Sequence, residues 1–209
     1  MEINVLLYPD FETLDVFGPV EVFGKVPSWN IQYYSATGGI ISNQDNVQIM
    51  TKNIEIIQDQ QLDVLFIPGG TGARSFILQP DFIAQIKTLA QHSHYVLTVC
   101  TGSALLAKTG LLDGKLATSN KRSFEWVKST STKPQWQKPQ WQLKARWTRD
   151  DKYYTSSGIS AGMDMALAFI RDQLDEGTAE QIAYRIEYSW HKHPDEDPFC
   201  QQPYTGKTK

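Results

Sequence analysis

Residues 95–107, Tyr95-Val-Leu-Thr-Val-Cys100-Thr-Gly-Ser-Ala-Leu-Leu-Ala107, run from an apolar strand through a Cys-Thr-Gly-Ser turn into a helix of small residues. That order puts Cys100 at a strand-to-helix elbow, where the unpaired N–H groups and the dipole of the new helix favour a thiolate. A cysteine so placed reads as a nucleophile. The competing reading is a small hydrophobe ending a buried strand, but such a residue has no need of Gly102 and Ser103 behind it.

Outward from this elbow the chain alternates strands and helices. Ile3–Tyr8, closed by Pro9, and Leu62–Pro68, closed by Gly69-Gly70, are short apolar runs of the kind buried in a mostly parallel sheet. Trp29–Ala36 and Gly39–Met50 read as further strands. Phe76–Gln91 has helical spacing and leads into the strand that delivers Cys100. Ile159, Met163, Leu167, Ile170 and Leu174 recur at helical intervals, and Thr178-Ala-Glu-Gln181 has the form of a capping box opening a helix through Trp190. The expected fold is α/β, a doubly wound sheet with helices on both faces. Residues 1–190 form one domain in this reading, and 191–209 a solvated C-terminal tail.

With 209 residues the chain is long enough to bury a core without staples. The formal net charge of −3, with lysines and arginines scattered, gives no basic footprint, so nucleic acid is not an expected partner. Met1-Glu-Ile-Asn-Val enters a strand with no apolar leader, and no run approaches the roughly 18 apolar residues of a membrane span. The two cysteines stand in different contexts, which speaks for a reducing, cytoplasmic setting and against a disulfide scaffold.

In an open α/β sheet the ligand crevice lies outside the carboxyl ends of the strands. Three loops leave such ends: Pro9–Pro19, Gly69–Arg74 and Cys100–Ser103. The first holds Asp15, read either as a helix-capping aspartate or as an acid facing the cysteine. The second, Pro68-Gly69-Gly70-Thr71-Gly72, permits close backbone approach. With the Thr101 N–H, the Gly69 and Gly70 amides are placed to form an oxyanion pocket, and Thr71 and Asn120 join them as substrate-binding candidates. A phosphate-binding loop is excluded because the lysine and spacing of G-x-x-x-x-G-K-[ST] are missing; a simple tight turn is the other reading of the glycines, and no cofactor is expected.

Thiol proteases and glutaminases place a histidine beside the cysteine. His94 starts the strand that Cys100 ends, so six residues at about 3.3 Å put it roughly 20 Å away, and His92 is no nearer. His193-Pro194-Asp195 faintly resembles the histidine-proline-acid segment of glutaminase triads but follows a helix where theirs follows a strand. His191, His193 and Cys200 lack paired metal-ligand spacing, so no metal site is expected. The tandem pentapeptide Lys133-Pro-Gln-Trp-Gln137 and Lys138-Pro-Gln-Trp-Gln142 reads as a surface loop, with Trp141, Leu143, Ala145 and Trp147 alternating as a half-buried strand. A sharper reading makes Trp136 a lid or subunit-contact residue.

Leu14-Asp15-Val-Phe-Gly-Pro-Val-Glu-Val-Phe23, Phe66-Ile-Pro-Gly-Gly-Thr-Gly72, Val99-Cys-Thr-Gly-Ser103 and Ser156-Ser-Gly-Ile-Ser-Ala-Gly-Met-Asp164 resemble, in order, the successive motifs of the ThiJ/PfpI superfamily. Within it, Leu-Asp-x-x-Gly-Pro with Cys-Thr-Gly-Ser is similar to isonitrile hydratases and to the amidase-like domains of certain transcription regulators. The resemblance implies a flavodoxin-like domain, a homodimer, a small-molecule substrate, Cys100 as elbow nucleophile and Asp15 as its acid partner. The regulators' helix-turn-helix domain is not expected in a chain of this length. Two departures matter. Thr101 stands where the protease and deglycase branches have histidine, and Asn120 stands where hydratase-like members commonly carry one; asparagine cannot shuttle a proton near neutral pH.

The expected chemistry is attack by a Cys100 thiolate on an electrophilic carbon, with a protonated Asp15 moving the proton as the adduct forms and is hydrolysed. The alternatives are a redox or ligand sensor using the same cysteine without turnover, and an amidase or protease-like hydrolase, against which the missing histidine counts.

Overall fold

The computed structural model describes residues 1–131 and 138–201. Strands β1 (Glu2–Leu6), β2 (Asn30–Ser35), β3 (Gly39–Ser42), β4 (Gln48–Asn53), β5 (Leu62–Ile67), β6 (Ser93–Val99), β9 (Trp147–Asp150) and β10 (Tyr153–Ser156) form one sheet in the order β3-β4-β2-β1-β5-β6-β10-β9. Every pairing is parallel except the terminal β3–β4 and β10–β9 hairpins. β7 (Leu116–Ala117) and β8 (Gln140–Trp141) pair separately. The helices are α1 (Thr13–Phe23), α2 (Ala73–Phe76), α3 (Pro80–Gln91), α4 (Gly102–Lys108), α5 (Phe124–Ser129), α6 (Ala161–Gln173) and α7 (Glu176–Arg185).

Strand alternation sorts the core into two layers. Ile3 and Val5 of β1, Val64 and Phe66 of β5, and Leu97 and Val99 of β6 pack with α1, α6 and α7. Leu6, Leu65, Ile67 and Val96 face the opposite way, against α3, α4 and α5. Both sheet faces are therefore covered, as a doubly wound fold requires.

From β1 the chain moves outward to β2 on one side, and β5 and β6 lie on the other. The winding direction thus reverses between β1 and β5, and the crevice at such a switch point is where a ligand sits in this architecture. Phe11 and Gly70 form an isolated bridge across it, and the Glu12 N–H reaches the Gly69 carbonyl at 2.9 Å. The loops after β1 and β5 are therefore knitted together before any side chain is considered.

Several local expectations are corrected. Phe76–Gln91 is two helices, because Pro80 pushes Gln79 out of the helical region (φ −98°, ψ 103°) and opens α3 itself. Gly39–Met50 is a hairpin turning at Asn43–Asn46. Trp141 and Trp147 belong to different strands, separated by a turn in which the Ala145 N–H meets the Gln142 carbonyl. Helix α7 is capped by Asp175, whose carboxylate accepts the Thr178 N–H at 2.7 Å, and it ends at Arg185, short of Trp190. The pentapeptide Lys133–Gln137, with Trp136, lies outside the described residues.

The largest correction concerns residues 191–200 of the expected solvated tail; residues 202–209 lie outside the described residues. Residues 190–200 run back along the molecule: the Arg146 N–H meets the Pro194 carbonyl at 2.6 Å and the Asp197 N–H meets the Lys144 carbonyl at 2.8 Å. Asp197 is buried against Lys121 and Arg146, and Arg146 Nε donates to the fully buried Asp164 at 2.6 Å. A chain that carries a buried carboxylate onto two cations is held in place by the cost of leaving those charges unpaired.

Candidate active site

The β6–α4 elbow forces Cys100 into the left-handed region, at φ +56°. That conformation costs a non-glycine residue roughly 1–2 kcal/mol, and the surroundings hold it there. The Cys100 N–H is shared between the Ser156 and Ser157 carbonyls at 3.2 Å. Its carbonyl accepts the hydroxyls of Ser103 and Ser119, each at 2.8 Å. Gly102 is required beneath the elbow, since a Cβ there would lie 2.4 Å from the Ile67 carbonyl oxygen. The side chain of a residue so clamped has a fixed direction, which nucleophilic attack needs.

Asp15 comes from the third position of α1 and is fully buried. Its Oδ2 accepts the Gly69 N–H at 2.9 Å, whereas Oδ1 has no partner at hydrogen-bond geometry. Burial pushes the Asp15 carboxyl up to about 8; the Gly69 N–H opposes this, the charge of Glu12 adds to it, and the Cys100 thiol and Ile159 N–H pull downward. Asp15 is therefore an uncharged acid at neutral pH.

The thiol behaves differently from the expected thiolate. Burial, and then the charge of Asp15, push Cys100 well above the ordinary thiol range, outweighing the Thr101 N–H and hydroxyl that favour ionisation. The reason is physical: α4 has only seven residues and the sulfur is buried, so desolvation exceeds what the helix end returns. Both members of the pair resist charge.

The glycine loop is also differently employed. The Gly69 N–H is committed to Asp15, and the Gly70 N–H donates to Thr101 Oγ1 at 3.0 Å while that hydroxyl returns a bond to the Gly70 carbonyl. Of the three amides read as an oxyanion pocket, the Thr101 N–H alone acts on the sulfur. A Cβ on Gly69 would lie 2.6 Å from the Thr101 nitrogen and 2.7 Å from Asp15 Oδ2, so this glycine is where acid and elbow meet.

Thr71 lies at the rim, its hydroxyl accepting Gln44 Nε2 at 2.8 Å. Asn120 accepts the Ser123 N–H at 3.1 Å, and its Nδ2 occupies the space a Cβ on Gly158 would take. It braces the Ser157–Ile159 turn. Ile159, at φ +51°, is a second strained position, one that a β-branched residue seldom adopts. The histidines lie elsewhere: His92 pairs with the Gln58 carbonyl, His191 approaches Asp164, and none is among the groups acting on Cys100.

Two participants escaped the sequence reading. Tyr8 is buried with its hydroxyl on the Pro68 carbonyl at 2.7 Å, and its acidity is lowered by burial, Asp15 and Cys100. Glu12, one helical turn before Asp15, exerts its charge on both Asp15 and Cys100. The i, i+3 spacing of the two acids was the available signal.

The profile of the DJ-1/PfpI family matches residues 1–172. Isonitrile hydratase of Pseudomonas putida is 28% identical over 190 residues, covering 90% of this chain and 79% of that protein. A ThiJ/PfpI family protein from Pseudomonas syringae superposes with a TM-score of 0.80 at 26% identity, over 91% of this chain and 76% of that one. Oxidized DJ-1 of Toxoplasma gondii shares the fold, with a TM-score of 0.74 at 20% identity over 90% and 99% of the two chains. No described helix is long and apolar enough to cross a membrane, and no three His, Cys, Asp or Glu side chains among the described residues are grouped as a metal site.

Proposed function

This chain belongs to the DJ-1/PfpI family, and from that premise we propose that it adds water to a small electrophilic substrate through Cys100, with an isonitrile the best-supported class. The observation that carries the reading is a buried, uncharged Asp15 beside a strained, buried Cys100. The similarity to isonitrile hydratase supports the substrate class.

Because the site resists charge, protons move in step with bond formation. The Cys100 sulfur bonds to the terminal carbon of R–N≡C as the thiol proton passes to Asp15 and the proton Asp15 already carries passes to that carbon. The product is a thioimidate, R–N=CH–S–Cys100, and Asp15 is again neutral. Water then adds to the same carbon while a proton, relayed by Asp15, goes to nitrogen. Collapse breaks the C–S bond, the hydroxyl proton returns to sulfur, and R–NH–CHO leaves. One water is consumed and the cysteine is regenerated. The Gly69 N–H holds Asp15 in register throughout, and the Thr101 N–H supports charge that builds on sulfur.

Thiol hydrolases place a histidine beside the cysteine, and none is among the groups acting on Cys100, which counts against an amidase-like reaction. Sensing by reversible oxidation favours a low-pKa thiol, whereas this one is shifted upward. The homodimer implied by the resemblance and the reducing, cytoplasmic setting read from the cysteines belong to the same proposal; light scattering tests the first.

The test is product analysis after incubation with a small alkyl isocyanide. Formamide should appear with the wild type and be absent with Cys100→Ala. Formamide production at the wild-type rate by Cys100→Ala would overturn the proposal.

A further inference from the structure

The tip of the β3–β4 hairpin is built onto the mouth of the Cys100 site. Buried Asn43 donates Nδ2 to the Phe11 carbonyl at 3.1 Å and to Thr13 Oγ1 at 2.8 Å, while its Oδ1 accepts the N–H groups of Asp45 and Val47. The Thr13 hydroxyl donates to Asp45 Oδ2 at 2.9 Å, and Gln44 reaches Thr71. One turn of hairpin thus grips both loops of the switch point and fixes a carboxylate, Asp45, next to the loop that leads to Asp15.

Glu12 is the second carboxylate. It is the residue before α1, its N–H on the Gly69 carbonyl, half-buried where the two loops meet. Burial, and then the charge of Asp45, push the Glu12 carboxyl above its ordinary range, and the charge of Arg122 opposes them. Glu12 in turn acts on both Asp15 and Cys100. Behind this pair lies Asp15, whose Oδ1 is buried and without a partner at hydrogen-bond geometry. Two carboxylates, Glu12 and Asp45, opposed by Arg122 alone among the charges acting on Glu12, thus stand on the loops that lead to the buried, neutral Asp15.

We propose that Glu12 and Asp45 make the Cys100 site discriminate by charge, admitting neutral and cationic electrophiles and slowing anionic ones. Electrophiles bearing a carboxylate, sulfonate or phosphate group are then poor substrates. Charge of one sign lining a partly dehydrated cleft changes encounter rates by about tenfold or more. The inference rests on Cys100 being the reactive group but not on the identity of the natural substrate.

The experiment measures disulfide formation at Cys100, in a Cys200→Ser background, with methanethiosulfonates carrying a trimethylammonium, a methyl or a sulfonate group. Each reaction makes an S–S bond and releases methanesulfinate; the thiol proton goes to solvent. Second-order rate constants are divided by those of free cysteine with the same reagent. The cationic reagent should exceed the anionic one by about tenfold at low salt, and the ratio should fall toward one in Glu12→Gln/Asp45→Asn and in 1 M salt. Equal normalised rates in the wild type, an unchanged ratio in the double variant, or no reaction with any of the three would overturn the proposal. Loss of isocyanide hydration with the charge ratio intact would overturn the substrate assignment and leave this inference standing.

Discussion

Asp15 gives one carboxylate oxygen to the Gly69 N–H at 2.9 Å and keeps the other buried without a partner at hydrogen-bond geometry. A carboxyl group so placed is held neutral, and that state has consequences for stability as well as for turnover. In the folded protein its pKa is raised from 3.8 to about 8. The stability linked to it is therefore complete below about pH 4 and is lost as pH rises to about 8. Asp15→Asn has no such dependence. Urea unfolding at pH 5, 7 and 9 should show the variant gaining on the wild type through pH 8, by about 4 kcal/mol at about 1.4 kcal/mol per unit, and no further above it.

Turnover follows the same titration with the opposite demand. The proton relay needs Asp15 protonated, so kcat should be level below pH 7 and fall as pH rises through about 8. Asp15→Asn should lower kcat about 10²-fold or more and flatten that limb. Removing the Asp15 charge also removes one of the influences that push the thiol up, so the iodoacetamide reactivity of Cys100 should rise at a lower pH in Asp15→Asn than in wild type.

Gly69 permits no side chain. In Gly69→Ala the new methyl group would meet the Thr101 nitrogen at 2.6 Å and Asp15 Oδ2 at 2.7 Å, contacts real structures do not show. The loop has to move, at a cost of about 1–3 kcal/mol, and the acid leaves its register. Turnover should drop far more than the melting temperature, read by activity and thermal unfolding on the same sample.

The elbow carbonyl is a separate target. Ser103 and Ser119 both hydrogen-bond to the Cys100 oxygen, and each Ser→Ala change should cost about 1 kcal/mol of stability. The two share one acceptor, so the double variant should be non-additive. A double-mutant cycle that sums within error would show that the two hydroxyls act independently.

The docked C-terminal segment should matter to folding. Asp197→Ala strips a carboxylate from between Lys121 and Arg146, both nearly buried, and breaking such a pair costs about 3–5 kcal/mol. Burial lowers Lys121 to about 8 even with Asp197 present. The variant should melt well below wild type, with early proteolytic cleavage between residues 186 and 200.

The elbow at Cys100, the glycine loop and the order of strands were legible because each has a local signature: an apolar run, a turn of small residues, a helical period. Asp15 was legible by its position after β1. The thiol's ionisation was not, because it depends on burial and on a neighbour 85 positions away in the chain, and the helix-end argument saw only the local term. The glycine amides were readable as donors, but their acceptors, Asp15 and Thr101, are fixed by how two loops close on each other. The tail was misread for a similar reason. Its segment is polar, and the Lys121 and Arg146 side chains that make Asp197 worth burying lie on other elements.

The central claim is a covalent step at Cys100 assisted by Asp15. Its most direct test is the intact mass of the protein acid-quenched within one turnover of a small alkyl isocyanide, for wild type, Asp15→Asn and Cys100→Ser. Wild type should carry one added isocyanide mass, localised by peptide mapping to Cys100, with the adduct much slower to form in Asp15→Asn and absent in Cys100→Ser. Formamide production with no adduct at Cys100, or undiminished by Cys100→Ser, would contradict the account.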